Sequence, residues 1–339
     1  MDPLTLDFVT LDVFTTTRFL GNPLAVVFVP SSQRSRLDQQ TKQRIAREFN
    51  LSETVFLHTL DDEATNGATV TTREIDIFTT EEELPFAGHP TIGSAYLVLR
   101  HLGWSHVDTL RTRAGPIRIQ APSSGDGKGQ VRAAIPHAVH VHRQTLGGVL
   151  NEPATTEVAK DAIRYGLSTD PDIRAAELAA PVVSIVKGMS FVLVRLPSLE
   201  HLARVGKGNR LDFGQVPGLL DQGEWHGGFT ARYYYVPLEE EGAGGSGSEL
   251  AIRTRMVELG FEDPATGSAA CTLASYLAVS GRKTAEEMVR FAITQGVEMG
   301  RKSDISVDVA VAQEEGEARV RELYLGGTAA VVMSGSISV

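Results

Sequence analysis

Thiols are almost absent from this 339-residue chain, which has a single cysteine, Cys271. One thiol excludes an internal disulfide and any zinc site built from several cysteines, and it suits a reducing compartment. Cys271 falls inside a helical pattern, where a buried structural role is expected. Basic residues are also in deficit. There are 32 Lys and Arg against 42 Asp and Glu, a formal charge of −10, with no dense basic block. That balance argues against nucleic acid or an anionic membrane as a partner, so an anionic substrate must be held by local groups. No apolar run reaches membrane-spanning length, and the N-terminus lacks the basic start and apolar stretch of a signal peptide, so a cytoplasmic address is the expectation. The nine histidines are scattered and form no His-x-x-Glu-His or His-x-x-x-His set, so no metal is expected. No Gly-x-Ser-x-Gly nucleophile elbow occurs. The glycine-rich run 242–247 lacks the Gly-Lys-Ser/Thr ending of a phosphate cradle and reads as a hairpin loop.

What is present is ample apolar material, 42% of the residues, enough for two domains of ordinary size. Strand patterns cover 6–14 and 24–29, joined by the turn Gly21-Asn22-Pro23, then 51–57 and 70–79, with a surface helix over 37–49 between them. Residues 107–113 and 116–121 read as a hairpin. In the second half, 182–186, 191–196, 229–236, 250–257, 288–294, 305–311, 320–325 and 328–333 read as strands, and 155–165 and 198–205 as helices. The strand 229–236 holds three successive tyrosines, and one alternate face of it is expected in the core, the other facing a cleft or an interface. Many short strands, few helices and no regular βαβ rhythm predict an α+β fold of mixed sheets, each wrapped around a buried helix. The apolar segments 92–102 and 271–279 are the candidates for those helices. The junction is placed after the loop 122–130, giving domains 1–130 and 131–326, with the last strand, about 327–339, a candidate to return to the first.

Two loops stand out. Asp263-Pro264-Ala265-Thr266-Gly267-Ser268-Ala269-Ala270 and Glu83-Leu84-Pro85-Phe86-Ala87-Gly88-His89-Pro90 share Pro-x-x-Gly followed by a polar residue, and each runs into a helical pattern. The first amides of a helix lack intrahelical partners and attract anions. Matching loops suggest a duplicated unit that clamps a small carboxylate from two sides. If they converge, His89 and Ser268 lie beside helix starts, with Asp263 and Glu53 as carboxylates. A lone Glu at a strand start is ordinarily solvated, which ranks Glu53 behind Asp263 on the residues alone. The remaining chemistry is proton transfer, since a carboxylate in a partly apolar, closed site has a raised pKa and can take a proton from carbon and return it elsewhere.

The segments Gly21-Asn22-Pro23, Ser52-Glu53-Thr54-Val55-Phe56, Glu83 to Thr91 and Glu262 to Ala269, in that order and spacing, closely resemble the PhzF-like family of phenazine biosynthesis. Gln295-Gly296 followed by Gly300-Arg301 is similar to that family's late motif, so the resemblance spans nearly the whole chain. It implies a diaminopimelate-epimerase-like fold of two similar domains, each a β-barrel-like sheet around a central helix, with the active site in the interdomain cleft. It also implies cofactor-independent isomerase chemistry and a homodimer. In the family's characterised member the substrate is a dihydro-hydroxyanthranilic acid, and the glutamate of the Ser-Glu-Thr motif moves a proton between ring carbons. Carried over, Glu53 is the acid/base, while His89, Asp263 and Ser268, with Gly88 and Gly267, hold a small carboxylate-bearing amino or hydroxy acid. Related epimerases place a thiol at each of the two loops, where this chain has His89 and Ser268, so a two-thiol racemase is excluded. The segment 256–261 is shorter than the family's, and the loops 122–130 and 239–249 look longer, which bears on the pocket's shape. The alternatives are a racemase or lyase using the same glutamate on another small amino acid, or a ligand-binding protein that kept the fold and lost turnover.

Overall fold

The computed structural model describes residues 4–61, 69–122, 129–150, 166–207, 211–238, 249–258, 260–281, 288–314 and 316–339. The expected helix 155–165 and most of the loops 122–130 and 239–249 lie outside the described residues. Contacts divide the chain into two compact units, Met1–Ile135 with Tyr324–Val339, and Pro136–Leu323.

In the first unit, β1 (Thr5–Val13) runs antiparallel between β2 (Asn22–Pro30) and the chain's last strand, Ala329–Ser338. Helix α1 (Gln39–Phe49) follows. Its start is set by Asp38, whose side chain accepts from the Thr41 amide, and its end by Asn50, which takes the left-handed conformation at φ 50°. The chain re-enters the sheet as β3 (Thr54–Thr59), parallel to β2, and then β4 (Thr72–Phe78), antiparallel to β3. The short β5 (Glu83–Leu84) leads into α2 (Gly88–Tyr96), which continues as one wider turn over Leu97–His101. Helix α2 therefore begins earlier than the apolar pattern indicated. Gly88 through Ala95 are all buried, and α2 touches β1, β2, β3 and β8 (Val131–Ala134). A helix without a polar face can only sit inside a sheet. Gly93 permits the closest approach, because a β-carbon there would lie 2.5 Å from Leu24 Cδ2 and 2.9 Å from Val13 Cγ2. Strands β6 (Thr109–Thr112) and β7 (Gly115–Gln120) form the hairpin expected around Gly115, and β8 pairs with β7 and with Tyr324–Gly327. Those pairings carry the unit boundary past β8 to Ile135.

The second unit opens with β9 (His140–Val141) and two helices, α3 (Leu146–Leu150) and α4 (Pro171–Ala179). The latter was not read from the sequence, although Asp170-Pro171 is a cap followed by proline at the first helical position, and the Asp170 side chain accepts from the amides of Asp172 and Ile173. The sheet continues through β10 (Val182–Val186), β11 (Met189–Arg195), β12 (Phe229–Pro237), β13 (Leu250–Glu258), β15 (Met288–Gln295) and β16 (Ser303–Glu314), with parallel pairs at β11–β12 and β13–β15. Helix α5 (Leu199–Arg204) starts at Ser198, whose hydroxyl accepts from the His201 amide. The strip β14 (Phe261–Asp263) pairs back on β13 and delivers the chain to α6 (Gly267–Gly281). Helix α6 touches β10, β11, β15 and β16, while α4 and α5 cover β11, β12 and β13. Both faces of β12 are thus occupied. Tyr233, Tyr234 and Tyr235 are all buried, contrary to the one-sided alternation expected for that strand.

Candidate active site

The first unit brings Glu53 and His89 together. The left-handed turn at Asn50 ends α1, Leu51-Ser52 reverses the chain, and Glu53 falls immediately before β3. His89 is the second residue of α2, whose cap residue Ala87 offers no side-chain acceptor. Its Nδ1 lies 3.5 Å from Glu53 Oε2, with the two side chains 5% and 17% exposed. That oxygen is itself buried and accepts no hydrogen bond. Withdrawal from water raises the Glu53 pKa above the ordinary carboxylate range, and the Ser52 hydroxyl opposes this more weakly. The site therefore holds a carboxyl group with residual access to solvent and one oxygen uncommitted. Such a group is suited to taking up and giving back a proton.

The second unit carries Asp263, Gly267 and Ser268 on one loop. Asp263 Oδ2 accepts from the Thr266 hydroxyl at 2.6 Å, and the Ala265 amide approaches Oδ1 at 3.4 Å. Gly267 begins α6 and is buried, Ser268 is half-buried, and the Ser268 carbonyl accepts from Thr272 Oγ1 at 2.8 Å. Gln295 donates through Nε2 to the Asp263 carbonyl at 2.8 Å and to Thr266 Oγ1 at 3.0 Å. The loop is thus a carboxylate and a hydroxyl presented at a helix start, a combination suited to binding an ammonium and a carboxylate.

The sequence profile of the phenazine biosynthesis-like proteins, PhzC-PhzF, matches residues 11–335. The chain belongs to that family. An uncharacterized isomerase of Mesorhizobium japonicum is 32% identical over 340 residues, 99% of each chain. The trans-2,3-dihydro-3-hydroxyanthranilate isomerase of Pseudomonas fluorescens is 30% identical over 304 residues, 88% of each chain. Among solved structures, the PhzF-family phenazine biosynthesis protein of Bacillus anthracis superposes with a TM-score of 0.67 at 20% identity, covering 99% of this chain and 100% of that one. That likeness speaks to the fold, and the fold is the PhzF one. Like these relatives, the PhzF-family chain described here is an isomerase.

Two clusters that sequence spacing could not reveal come together in space. His140, His142 and Asp221 place ligand atoms within 4.8 Å of one another, as do His58, Glu74 and Asp76. In the first, His142 Nδ1 accepts from the Asp221 amide at 2.9 Å and its Nε2 meets Ser184 Oγ at 2.8 Å, which uses both ring nitrogens. In the second, the Lys42 ammonium sits 2.5 Å from Asp76 Oδ2, so the chain supplies a cation of its own. Cys271 is fully buried on α6 and burial pushes its thiol pKa up, which leaves it protonated and inert. Among the described residues, no helix is long and apolar enough to cross a membrane. Arg232, entirely buried, bridges Glu177 and Glu258 at 2.8 Å each and belongs to the framework beneath β12.

Proposed function

We propose that the chain moves a proton within a small amino or hydroxy acid bearing a carboxylate, with Glu53 as the single acid/base. The observation that carries this is the buried, partnerless Glu53 oxygen beside His89, a carboxyl whose pKa is raised by desolvation. In the ionised form Glu53 takes a proton from a substrate carbon, leaving an electron pair delocalised into the adjacent π-system. The resulting carboxylic acid, whose proton exchanges with solvent, delivers a proton to a second carbon, so the substrate is isomerised and Glu53 ends as it began. His89 steadies the carboxylate and the substrate next to it. Asp263 receives the substrate's amine, and the amides of Gly88 and Gly267 with the Ser268 hydroxyl receive its carboxylate. In this reading the chain has two epimerase-like domains, 1–130 with the returning last strand and 131–326, each supplying one loop to the substrate, and the protein works as a cytoplasmic homodimer. Family membership and the 30% identity to an isomerase of a dihydro-hydroxyanthranilate support the substrate class.

The test is incubation with trans-2,3-dihydro-3-hydroxyanthranilate and with a panel of small amino and hydroxy acids in deuterated water. Product NMR then locates the deuterium. A shifted double bond with deuterium at the new carbon supports an isomerase, and exchange with inversion at a single carbon marks a racemase. Turnover undiminished in Glu53→Gln would refute the assignment.

A further inference from the structure

The late motif Gln295-Gly296 with Gly300-Arg301 has no place in the chemistry above, yet it is built against the Asp263 loop. Gln295 ends β15 and is fully buried. Its amide orientation is fixed by groups of one polarity only. The Thr266 backbone N–H, which can only donate, faces Oε1 at 3.3 Å, and the Asp263 carbonyl, which can only accept, faces Nε2 at 2.8 Å. The Tyr233 hydroxyl, also buried, reinforces this by donating to Oε1 at 2.9 Å. Gly296 then turns the chain at φ 74°. A β-carbon there would meet the Pro264 carbonyl oxygen at 2.7 Å and that of Arg301 at 2.5 Å, so the backbone is pressed onto the same loop. The Arg301 amide closes the turn on the Gly296 carbonyl at 2.9 Å.

We propose that Gln295 is a positioning residue that holds the Asp263 carboxylate as an oriented, ionised acceptor through Thr266. Because Gln295 Nε2 donates to Thr266 Oγ1, the hydroxyl's own hydrogen is directed onward to Asp263 Oδ2. Hydrogen bonds thus run one way, from Tyr233 to Gln295 to Thr266 to Asp263, and the carboxylate, the stronger acceptor, is the form that this series favours. Tyr233 and Cys271, titratable neighbours in this unit, are both held neutral by burial, so they add no charge of their own. The proposal deepens the role given to Asp263 above and rests on it only for its functional consequence.

The test is a carbon-13 carboxyl NMR titration of the full chain, with Asp263 assigned by its loss in Asp263→Asn. Gln295→Leu frees the Thr266 hydroxyl, and Gln295→Glu turns it toward the new carboxylate. Each should make Asp263 titrate about 1 pH unit higher than in the wild type while the protein still melts cooperatively. Thr266→Val, at a half-buried position, should give the same shift, and adding Gln295→Leu to it should add little. A packing role alone would lower the melting temperature and leave Asp263 where it was. An unchanged Asp263 titration in both Gln295 variants, or additive shifts in the double variant, would overturn the proposal. Calorimetric titration with 3-hydroxyanthranilate as probe separates the two readings. If Asp263 shifts but affinity does not, the hydrogen-bond relay stands and the amine-binding role of Asp263 falls.

Discussion

The loops that open α2 and α6 share a Pro-x-x-Gly backbone and differ in how fully their polar groups are engaged. Beside α2, Glu53 keeps an oxygen that accepts no hydrogen bond, and His89 Nδ1 stands off at 3.5 Å. Beside α6, Asp263 accepts at 2.6 Å from a hydroxyl that is itself fixed from behind by Gln295. One backbone device therefore presents a carboxyl with an uncommitted oxygen and a carboxyl held by a fixed donor. The pair illustrates a general division: a group that must exchange a proton cannot be saturated with donors, whereas a group that must hold a ligand gains from every donor it has.

The comparison breaks most decisively at Glu53. Glu53→Gln keeps the shape and removes the exchangeable proton, and steady-state kinetics should show kcat lower by about 10³-fold with KM little changed. Burial alone must not explain the contrast, and Arg232 supplies the control. Arg232→Met leaves Glu177 and Glu258 buried without their countercharge, at a cost of about 3–5 kcal/mol in urea unfolding, while KM of the surviving folded enzyme stays as in the wild type. Asp263→Asn should act mainly on binding, where Glu53→Gln acts on turnover. Losing a charged hydrogen bond of about 1.5–3 kcal/mol raises KM by roughly 10- to 100-fold with a smaller effect on kcat.

The raised Glu53 pKa also has a signature in stability. Between the ordinary glutamate value, about 4.3, and the raised folded-state value, the unfolded chain has lost this proton and the native protein has kept it. Stability from this group therefore falls as pH rises through that window. Glu53→Gln should melt at a higher temperature than the wild type near neutral pH, and the gap should close below about pH 4. An advantage that instead grows on acidification would mean the carboxylate is stabilised, not desolvated. The smallest effect belongs to Cys271. Cys271→Ala should leave kcat and KM unchanged, with a stability loss below about 2 kcal/mol, and the native thiol should resist alkylation.

The features legible in the sequence were those set by a few adjacent residues. The Pro-x-x-Gly loops open α2 and α6, because glycine turns act over three or four positions, whereas the Asp38 cap starts α1 at Gln39, past the apolar pattern that begins at Leu37. Glu53 and His89 were candidates from the loops, but the rank of Glu53 came from the family motifs, since 36 positions, 89 − 53, separate two residues that periodicity does not link. Gln295 was noticed as a motif and its job was not, because the loop it holds lies about thirty residues earlier. The buried Arg232, Glu177 and Glu258 were not read from the sequence, and the tyrosines of β12 looked one-sided, because helices packed on both sheet faces cancel the two-residue alternation. Histidine spacing likewise said nothing of His140 and His142 meeting Asp221, a contact made across some eighty residues.

The most direct test of the central claim is the protonation of Glu53 itself, followed by pH-difference infrared or carbon-13 carboxyl NMR and assigned by its loss in Glu53→Gln. The account predicts one carboxyl group titrating clearly above the ordinary glutamate range in the resting protein. A Glu53 that titrates at or below about 4.3 would contradict it.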